Sequence, residues 1–575
     1  MSKNLLLTLG HNSSAVLMDD DKVVCGYENE RLSKVKSDSA FPSLAIMECL
    51  NNKKVFVDKL DYIYISYWND AFDIFEDASY VDKHIDKKFL STLCKHYGCK
   101  IKYLSEDFTH HDAHAYAALN FFENHATEDE KKQDFHIIVS DGFGNKEETT
   151  TVYHVENGEL KKIDKRRDYF TSVGLMYQYA TSFCGMKENE DEYKFLGYES
   201  HIKEVLTENQ IISLYDYADK FVETFYNATK SITLNYIDSK TKYINVEKLC
   251  NVKKYWFDEF DKLLKHIEFE KTNCNISHLR TCVGAFIQRV IEQFVGKIIE
   301  EHNISNVILS GGIFYNVKLN NFIMNIIPGK ICVYPVCGDQ GVAFGLYRKY
   351  FGPFEFKTLL IGDRDLEITS NKSAFFKGMN LDRFERYDDP NEFINRIVAL
   401  LKEDKIVNIM TGNLEFGPRA LGSTTTMALP TKKNVSYINL LNDRDCAMPM
   451  APQILASKTK KYFGSQVNKI IGSNFYMIIT MDQIDTPNES YIGISHKYPL
   501  KDVYSSRCQI IPDESNQYTR YVLEKLSDVN DFMINTSLNY HGTPILYTVN
   551  DVVKNHILTM KNDVENRSYT IVGCF

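Results

Sequence analysis

The chain has 575 residues, 44% of them hydrophobic and 25% charged, the composition of a globular protein with room for roughly two to four domains. Its 77 acidic and 67 basic side chains leave a formal net charge of -10, which excludes a global basic field for gripping polyanions and leaves only a local groove for that purpose. There is no run near the ~20 apolar residues of a membrane helix, no small-residue cleavage site after the first apolar run, and no CxxC pair among the 13 cysteines, so a cytoplasmic protein with free thiols and no membrane partner is expected.

Leu5–Leu9, Ala15–Met18 and Val23–Tyr27 are short apolar runs separated by polar turns, which predicts a three-stranded meander. A second meander follows at His136–Val139, Thr149–Val155 and from Leu160, with Asn157-Gly158 as a hairpin turn. Two such units, each followed by helical sequence, predict a duplicated α/β fold of the actin-like kind. Val283, Phe286, Ile287, Val290, Ile291, Phe294, Ile298 and Ile299 recur at helical spacing and mark one amphipathic helix ending near Asn303. A strand at Asn306–Leu309, a strand ending at Val333–Pro335 and a helix at Gln340–Tyr350 complete this half. Gly-Pro, Gly-Asp and Asp-Pro signals then mark a junction. The division is 1–355, a linker over 356–388, and a second α/β domain over 389–575. That domain reads as strands at Ile406–Met410, Phe475–Thr480, Val503–Ile511 and Phe532–Asn535, with helices at Thr519–Leu526 and from Asp551.

His110 and His114 lie four apart behind Thr109, a good N-cap, so they share a helix face and can hold one metal ion. His111 stands where a zincin protease needs its Glu, which excludes that chemistry. Asp141 and Asp339 sit at strand ends beside glycines and are candidate further ligands. Ser310-Gly311-Gly312 joins a strand to a helix and allows close approach of an anion. Asn316 and Asn320, one turn apart, can reach a ribose or base. In the second domain, Thr411–Gly422 contains Glu-Phe-Gly-Pro-Arg-Ala-Leu-Gly, a rigid loop in which Arg419 can fork onto phosphate or carboxylate. Asn535–Gly542 is a polar turn that supplies a second wall.

These segments, in this order and over almost the whole chain, resemble the NodU/CmcH O-carbamoyltransferases. The resemblance is carried by Gly10–Ala15, Glu30-Arg31, Phe41-Pro42, His110–Ala115, Ser140–Gly142, Ser172–Gly174, Glu192–Lys194, Ser310–Gly312 with Asn316, Gly338–Gly341, Glu415–Gly422, Pro449–Pro452 and Asn535–Asn539. It implies an actin-like N-terminal domain related to threonylcarbamoyl transferases and a YrdC-like C-terminal domain. The latter would join carbamoyl phosphate and ATP into carbamoyl adenylate, and the former would pass the carbamoyl group to a hydroxyl. It further implies an iron-type divalent metal on His110, His114 and Asp339 with Asp141 beside it, and Mg as a further candidate ion. His11 is the implied base, with Lys36 and Lys194 meeting phosphate or oxyanion. The implied nucleotide and adenylate contacts are Asn12, Asp141, Gly142, Gly311, Gly312, Asn316, Arg419, Arg444, Arg507, Asn535 and Ser537. Relatives suggest a homodimer.

The chain departs from the family pattern in basic residues. Thr424 and His541 stand where the pattern has arginine, and Asn442–Pro452 has lost a Lys and an Arg. Lys432, Lys433 and Lys501 are candidate replacements. A nucleotide-binding protein without turnover and an actin-like kinase are the competing readings. Sugar or natural-product hydroxyls are candidate acceptors. The Asn-, Lys- and Ile-rich composition adds a hydroxymethyl-pyrimidine nucleotide or DNA.

Overall fold

Strand β1 (Lys3–Thr8) is buried from Asn4 onward, as its apolar run predicts for a strand covered on both faces. It pairs antiparallel with β2 (Ser14–Asp19), which pairs antiparallel with β3 (Lys22–Glu28). On its other side it pairs parallel with β4 (Tyr62–Trp68), followed by β5 (Lys100–Leu104). A second sheet repeats this plan with β6 (Phe135–Ser140), β7 (Glu148–Glu156), β8 (Glu159–Arg167), β9 (Val307–Ser310) and β10 (Ile331–Val333), in the order β10-β9-β6-β7-β8. Both sheets therefore join a three-stranded antiparallel meander to two parallel strands, which is the expected duplication. The structure, a computed structural model, describes residues 2–575 except 69–85, 106, 157, 236–244, 271–273, 367–380, 445–449 and 499–502. Asn157, Asp445–Pro449, Lys501 and much of the expected linker lie outside the described residues.

The helices His110–His125 and Val342–Phe351 pack against each other between the two sheets. Their contact has no room for a side chain. A Cβ on Gly345 would stand 1.7 Å from the carbonyl oxygen of Ala113. The close crossing brings the start of one helix, which carries His110 and His114, beside the residues that precede the other, which include Asp339.

Beyond residue 359, β11 (Leu360–Gly362), β12 (Phe384–Tyr387), β13 (Ile406–Met410), β14 (Leu414–Glu415), β15 (Thr424–Ala428), β16 (Ala451–Leu455), β17 (Met481–Asp482), β18 (His496–Lys497), β19 (Tyr504–Ser506), β20 (Gln509–Ile511), β21 (Phe532–Ser537) and β22 (Ser568–Gly573) follow. Seven form one mixed sheet, β12-β22-β13-β15-β21-β16-β20, and β17-β19-β18 form a small one. The whole is a mixed α/β fold. Its N-terminal and C-terminal regions share a core: one buried apolar cluster runs from Leu6 and Ile137 through Phe344 and Phe416 to Ile454 and Ile534. Among the described residues no helix is long and apolar enough to cross a membrane, and the described cysteines are free.

Two expected strands differ. Phe475–Thr480 is not extended: Ser473–Tyr476 is a 3-10 turn between Gly472 at φ 70° and Met477 at φ 54°, and left-handed residues break a strand. Its backbone is held by the N-terminal region, where Asn320 donates to the Ile478 carbonyl at 2.7 Å. Val503–Ile511 divides into β19 and β20, which belong to different sheets, so Arg507 sits at the corner between them.

The helix Ile276–Glu301 is tied to the C-terminal region by Tyr498, whose hydroxyl donates to Glu292 at 2.7 Å. Burial, reinforced by the carboxylate of Glu199, pushes the Glu292 carboxyl up to about 7. A carboxyl whose folded value is raised contributes stability below its ordinary value of 4.5 and loses it as pH rises through about 7. Glu292→Gln should therefore raise the Tm more at pH 8 than at pH 5, read by thermal unfolding at both pH values.

Candidate active site

Thr109 caps the His110–His125 helix through a reciprocal pair with Asp112, as its sequence predicts. The first turn then presents His110 and His114 on one face, with Nε2 atoms 3.1 Å apart. Asp141 follows β6, and its Oδ2 lies 3.4 Å from His110 Nε2 and 3.3 Å from His114 Nε2. Asp339 Oδ1 lies 3.3 Å and 3.7 Å from the same two nitrogens. The four ligand atoms lie within 4.8 Å of one another. Ligands ~2.1 Å from a shared metal are about 3.4 Å apart when tetrahedral, so the spacing suits a divalent first-row ion, and the nitrogen and oxygen donors suit iron, zinc or manganese.

The surroundings orient these ligands. Ser310 Oγ stands 3.3 Å from His114 Nδ1 at zero exposure for both residues. Asp141 Oδ1 accepts from the amides of Gly142 at 2.8 Å and Gly312 at 3.3 Å. Gly311 is at φ 102°, and a Cβ there would stand 2.1 Å from the Ser140 carbonyl oxygen. The glycines expected to face a nucleotide thus hold Asp141 in place. Burial opposes charge on His110, yet Asp339 and Asp141 outweigh it and push the imidazole up to about 10. Against the opposing effect of burial, Asp141 is held below the usual carboxylate range by His110 and His114, and Asp339 by His110, His11 and His114. The same field attracts a divalent cation, whose binding would release that proton.

His11 Nε2 lies 3.7 Å from Asp339 Oδ2, and its half-exposed ring faces the approach to the cluster. Asn12 beside it takes φ 61° in the turn after β1. Lys36 reaches the Tyr193 hydroxyl at 3.0 Å, and Lys194 pairs with Asp191 at 2.6 Å while standing 3.4 Å from His541 Nε2. His541 comes from the C-terminal region, so this mouth is built by both ends of the chain. Asn316 is not turned to a ligand: it caps Val317–Ile326 and donates to Gln288 at 2.7 Å. Asn320 is likewise buried and bonded to carbonyls.

A single carboxylate shapes the Glu415–Gly422 loop of the C-terminal region. Glu415 Oε1 accepts from the amides of Leu421, Ser423 and Thr424 at 3.1, 2.8 and 2.8 Å. Arg364, from the connecting segment, donates to Thr411 O at 2.7 Å, Ser423 O at 3.0 Å and Thr424 Oγ1 at 2.8 Å. A guanidinium therefore meets Thr424, where the family pattern has its own arginine. Lys432 and Lys433 are exposed, and Lys433 stands 3.7 Å from Glu565. Asn535 donates to the Ala420 carbonyl at 2.9 Å and to Gln509 at 2.7 Å, which makes it a brace for the loop. Arg444 clasps the polar turn through Thr536 Oγ1 at 2.8 Å, Ser537 O at 2.6 Å and Asn539 Oδ1 at 2.9 Å, and Ser537 Oγ also donates to Asn539 Oδ1 at 2.6 Å.

Arg419 and Arg507 differ from these. Neither has a hydrogen bond or ion pair among the described residues. Burial lowers the affinity of both guanidiniums for their proton, and Arg419 adds to the effect on Arg507. Arg419 has Tyr315, Cys337 and Tyr193 as its electrostatic neighbours. Tyr315 in turn accepts from Gln340 at 2.6 Å and packs against Gly338, next to Asp339. Two cations without carboxylates thus stand near each other, Arg419 within the loop and Arg507 at the corner between β19 and β20. Such an arrangement is relieved by an anionic ligand.

Residues 5–346 match the family described as Carbamoyltransferase N-terminus, and residues 398–565 match Carbamoyltransferase C-terminus. The chain belongs to the NodU/CmcH carbamoyltransferase family. An uncharacterized protein of Methanocaldococcus jannaschii is 26% identical over 95% of this chain and 95% of its own. Nodulation protein NolNO of Sinorhizobium fredii is 23% identical over 99% of this chain and 80% of its own. Among solved structures, HypF of T. kodakarensis is 13% identical, with a TM-score of 0.29 over 61% of this chain and 48% of that one. Component A of the Acidaminococcus fermentans (R)-2-hydroxyglutaryl-CoA dehydratase is 12% identical, with a TM-score of 0.31 over 60% of this carbamoyltransferase-family chain and 97% of that one.

The cluster geometry makes a direct prediction. If the cluster takes up a divalent ion, His114→Ala should abolish its binding, Ser310→Ala should weaken it by about tenfold, and Gly345→Ala should lower both Tm and metal uptake by forcing the two helices apart. Elemental analysis of the purified variants beside their melting curves reads all three.

Proposed function

We propose that the chain is an ATP-dependent O-carbamoyltransferase working in two steps. The reading is supported most by the pair of carboxylate-free guanidiniums, Arg419 in the Glu415–Gly422 loop and Arg507 near it, in the same chain as the His110–His114–Asp141–Asp339 cluster. In this reading the domains run over 1–355 and 389–575, the first actin-like and the second YrdC-like.

In the C-terminal domain, water cleaves the bond between the carbamoyl group and phosphate in carbamoyl phosphate, giving carbamate and inorganic phosphate, and the carbamate attacks the α-phosphorus of ATP. The bond to the β-phosphate breaks, and carbamoyl adenylate and pyrophosphate result. Arg419 and Arg507 hold the anionic oxygens during this exchange, and Mg accompanies the ATP. In the N-terminal domain, the acceptor hydroxyl attacks the carbamoyl carbon, the bond to AMP breaks, and the hydroxyl proton passes to His11. His110, His114, Asp141 and Asp339 would hold an Fe(II)-type ion, which supplies Lewis-acid stabilisation of phosphate charge when bound. Lys36 and Lys194 orient the adenylate phosphate at the mouth. A sugar, natural-product or hydroxymethyl-pyrimidine hydroxyl is the acceptor. Thr424 and His541, which replace arginines of the family pattern, favour a second reading as a nucleotide-binding protein without turnover.

Acceptor-free pyrophosphate release tests the first step. Arg419→Met should slow it by about 100-fold, whereas His11→Ala should leave it intact and abolish transfer to acceptor. Loss of both steps in His11→Ala would remove that residue's assigned role, and no release by the intact protein would favour the second reading.

A further inference from the structure

The Glu415–Gly422 loop belongs to the C-terminal region, yet its central peptide is gripped by the N-terminal region. Arg31 Nη2 donates to the Gly417 carbonyl at 2.6 Å, and the Gly417 amide donates to Glu28 Oε2 at 3.1 Å. The two side chains pair with each other at 2.9 Å, and Arg31 also meets Glu30 at 3.3 Å. Arg31 is 1% exposed and Glu28 4%. Glu28 is the last residue of β3, and Arg31 lies on the short helix that follows, so both are fixed by the first sheet.

This is an unusual place for a buried ion pair. Its net contribution to stability is small, because desolvation of both charges offsets their attraction. What it supplies is register: both hydrogen-bonding groups of one glycine are read at once by two charged side chains. Gly417 is at φ 98°, so the loop turns sharply there, with Pro418 and then Arg419 following. The same turn packs on Val336, three residues before Asp339. The pair therefore sets the position of Arg419 relative to Tyr315 and Asp339.

We propose that Glu28 and Arg31 are positioning residues, which hold the loop so that Arg419 faces the metal-type cluster and the carbamoyl adenylate passes between the domains without loss. The passage of the adenylate rests on the two-step reading above; the positioning of the loop does not. Neither residue touches substrate, and their effect is exerted through Gly417.

Hydrogen exchange and product stoichiometry of the full-length, metal-loaded protein test it together. In Arg31→Met, exchange over residues 412–422 should rise about tenfold while β13 keeps its protection. ATP consumption should slow, though less than in Arg419→Met, and AMP formed should exceed carbamoylated acceptor, whereas the two are equal in the unaltered chain. Arg31→Met should add little to the defect of Arg419→Met, because both act on one group. Glu28→Gln keeps an acceptor for the Gly417 amide and should give the same uncoupling more weakly, which provides a second variant should Arg31→Met not fold. Unchanged loop exchange, or additive losses with AMP and product still equal, would overturn the proposal. If the unaltered chain forms no AMP, the two-step reading fails, and the exchange result alone decides whether the pair positions the loop.

Discussion

The carbonyl of Ala113 and the α-carbon of Gly345 meet where a side chain has no room. That contact sets the distance between two helices, and so between the imidazoles at the start of one and Asp339 ahead of the other. Asp141 reaches the same point because β6 runs beside β9 and the glycines after β9 turn tightly beneath it. The cluster thus comes from three separate chain segments, the start of the His110–His125 helix, the turn after β6 and the turn that precedes the Val342–Phe351 helix. Side chains placed this way need little reorganisation to take a ligand, which is how a fold rather than a loop supplies preorganisation.

The second constraint lies between the N-terminal and C-terminal regions. Their apolar core is continuous, so they are held together by burial. Burial alone is non-directional and would tolerate sliding of one region on the other. Direction comes from buried polar contacts that cross the seam: Arg31 and Glu28 on Gly417, Asn320 on Ile478, Tyr498 on Glu292. Each of these bonds would be lost, and a buried or part-buried polar group left without that partner, if the regions shifted by one residue.

Much of the N-terminal region is legible in the sequence because its signals are local. The apolar runs of β1 and β6, the four-residue spacing of His110 and His114 and the helical period around Val283–Ile299 can all be read within a dozen residues or so. Asp141 and Asp339 are legible as candidate ligands from their strand-end, glycine-flanked positions, but their joining to the histidines as one set comes from the family resemblance, since Asp339 lies far along the chain from its partners. Roles set wholly by long-range contact escape a reading of the sequence. Arg364 and Glu28 look like ordinary surface charges, and Arg31 and Glu415 are marked only as parts of family segments, until the loop they hold is seen. In sequence, Asn316 and Asn535 read as ligand contacts, because an amide that braces a helix or a loop has the same local sequence as one that binds a base. The division of Val503–Ile511 escapes for a related reason: β-propensity marks extended chain, and only the neighbouring strands decide where one sheet ends and another begins.

The central claim is that nucleotide phosphates bind between Arg419 and Arg507, and not on the glycine turns after β1 and β6. A crystal structure of the metal-loaded protein with a non-hydrolysable ATP analogue tests it most directly. Phosphate oxygens within hydrogen-bond distance of both guanidiniums are the predicted result. A triphosphate seated on Gly10–Asn12 and Gly142, with Arg419 and Arg507 untouched, would contradict it.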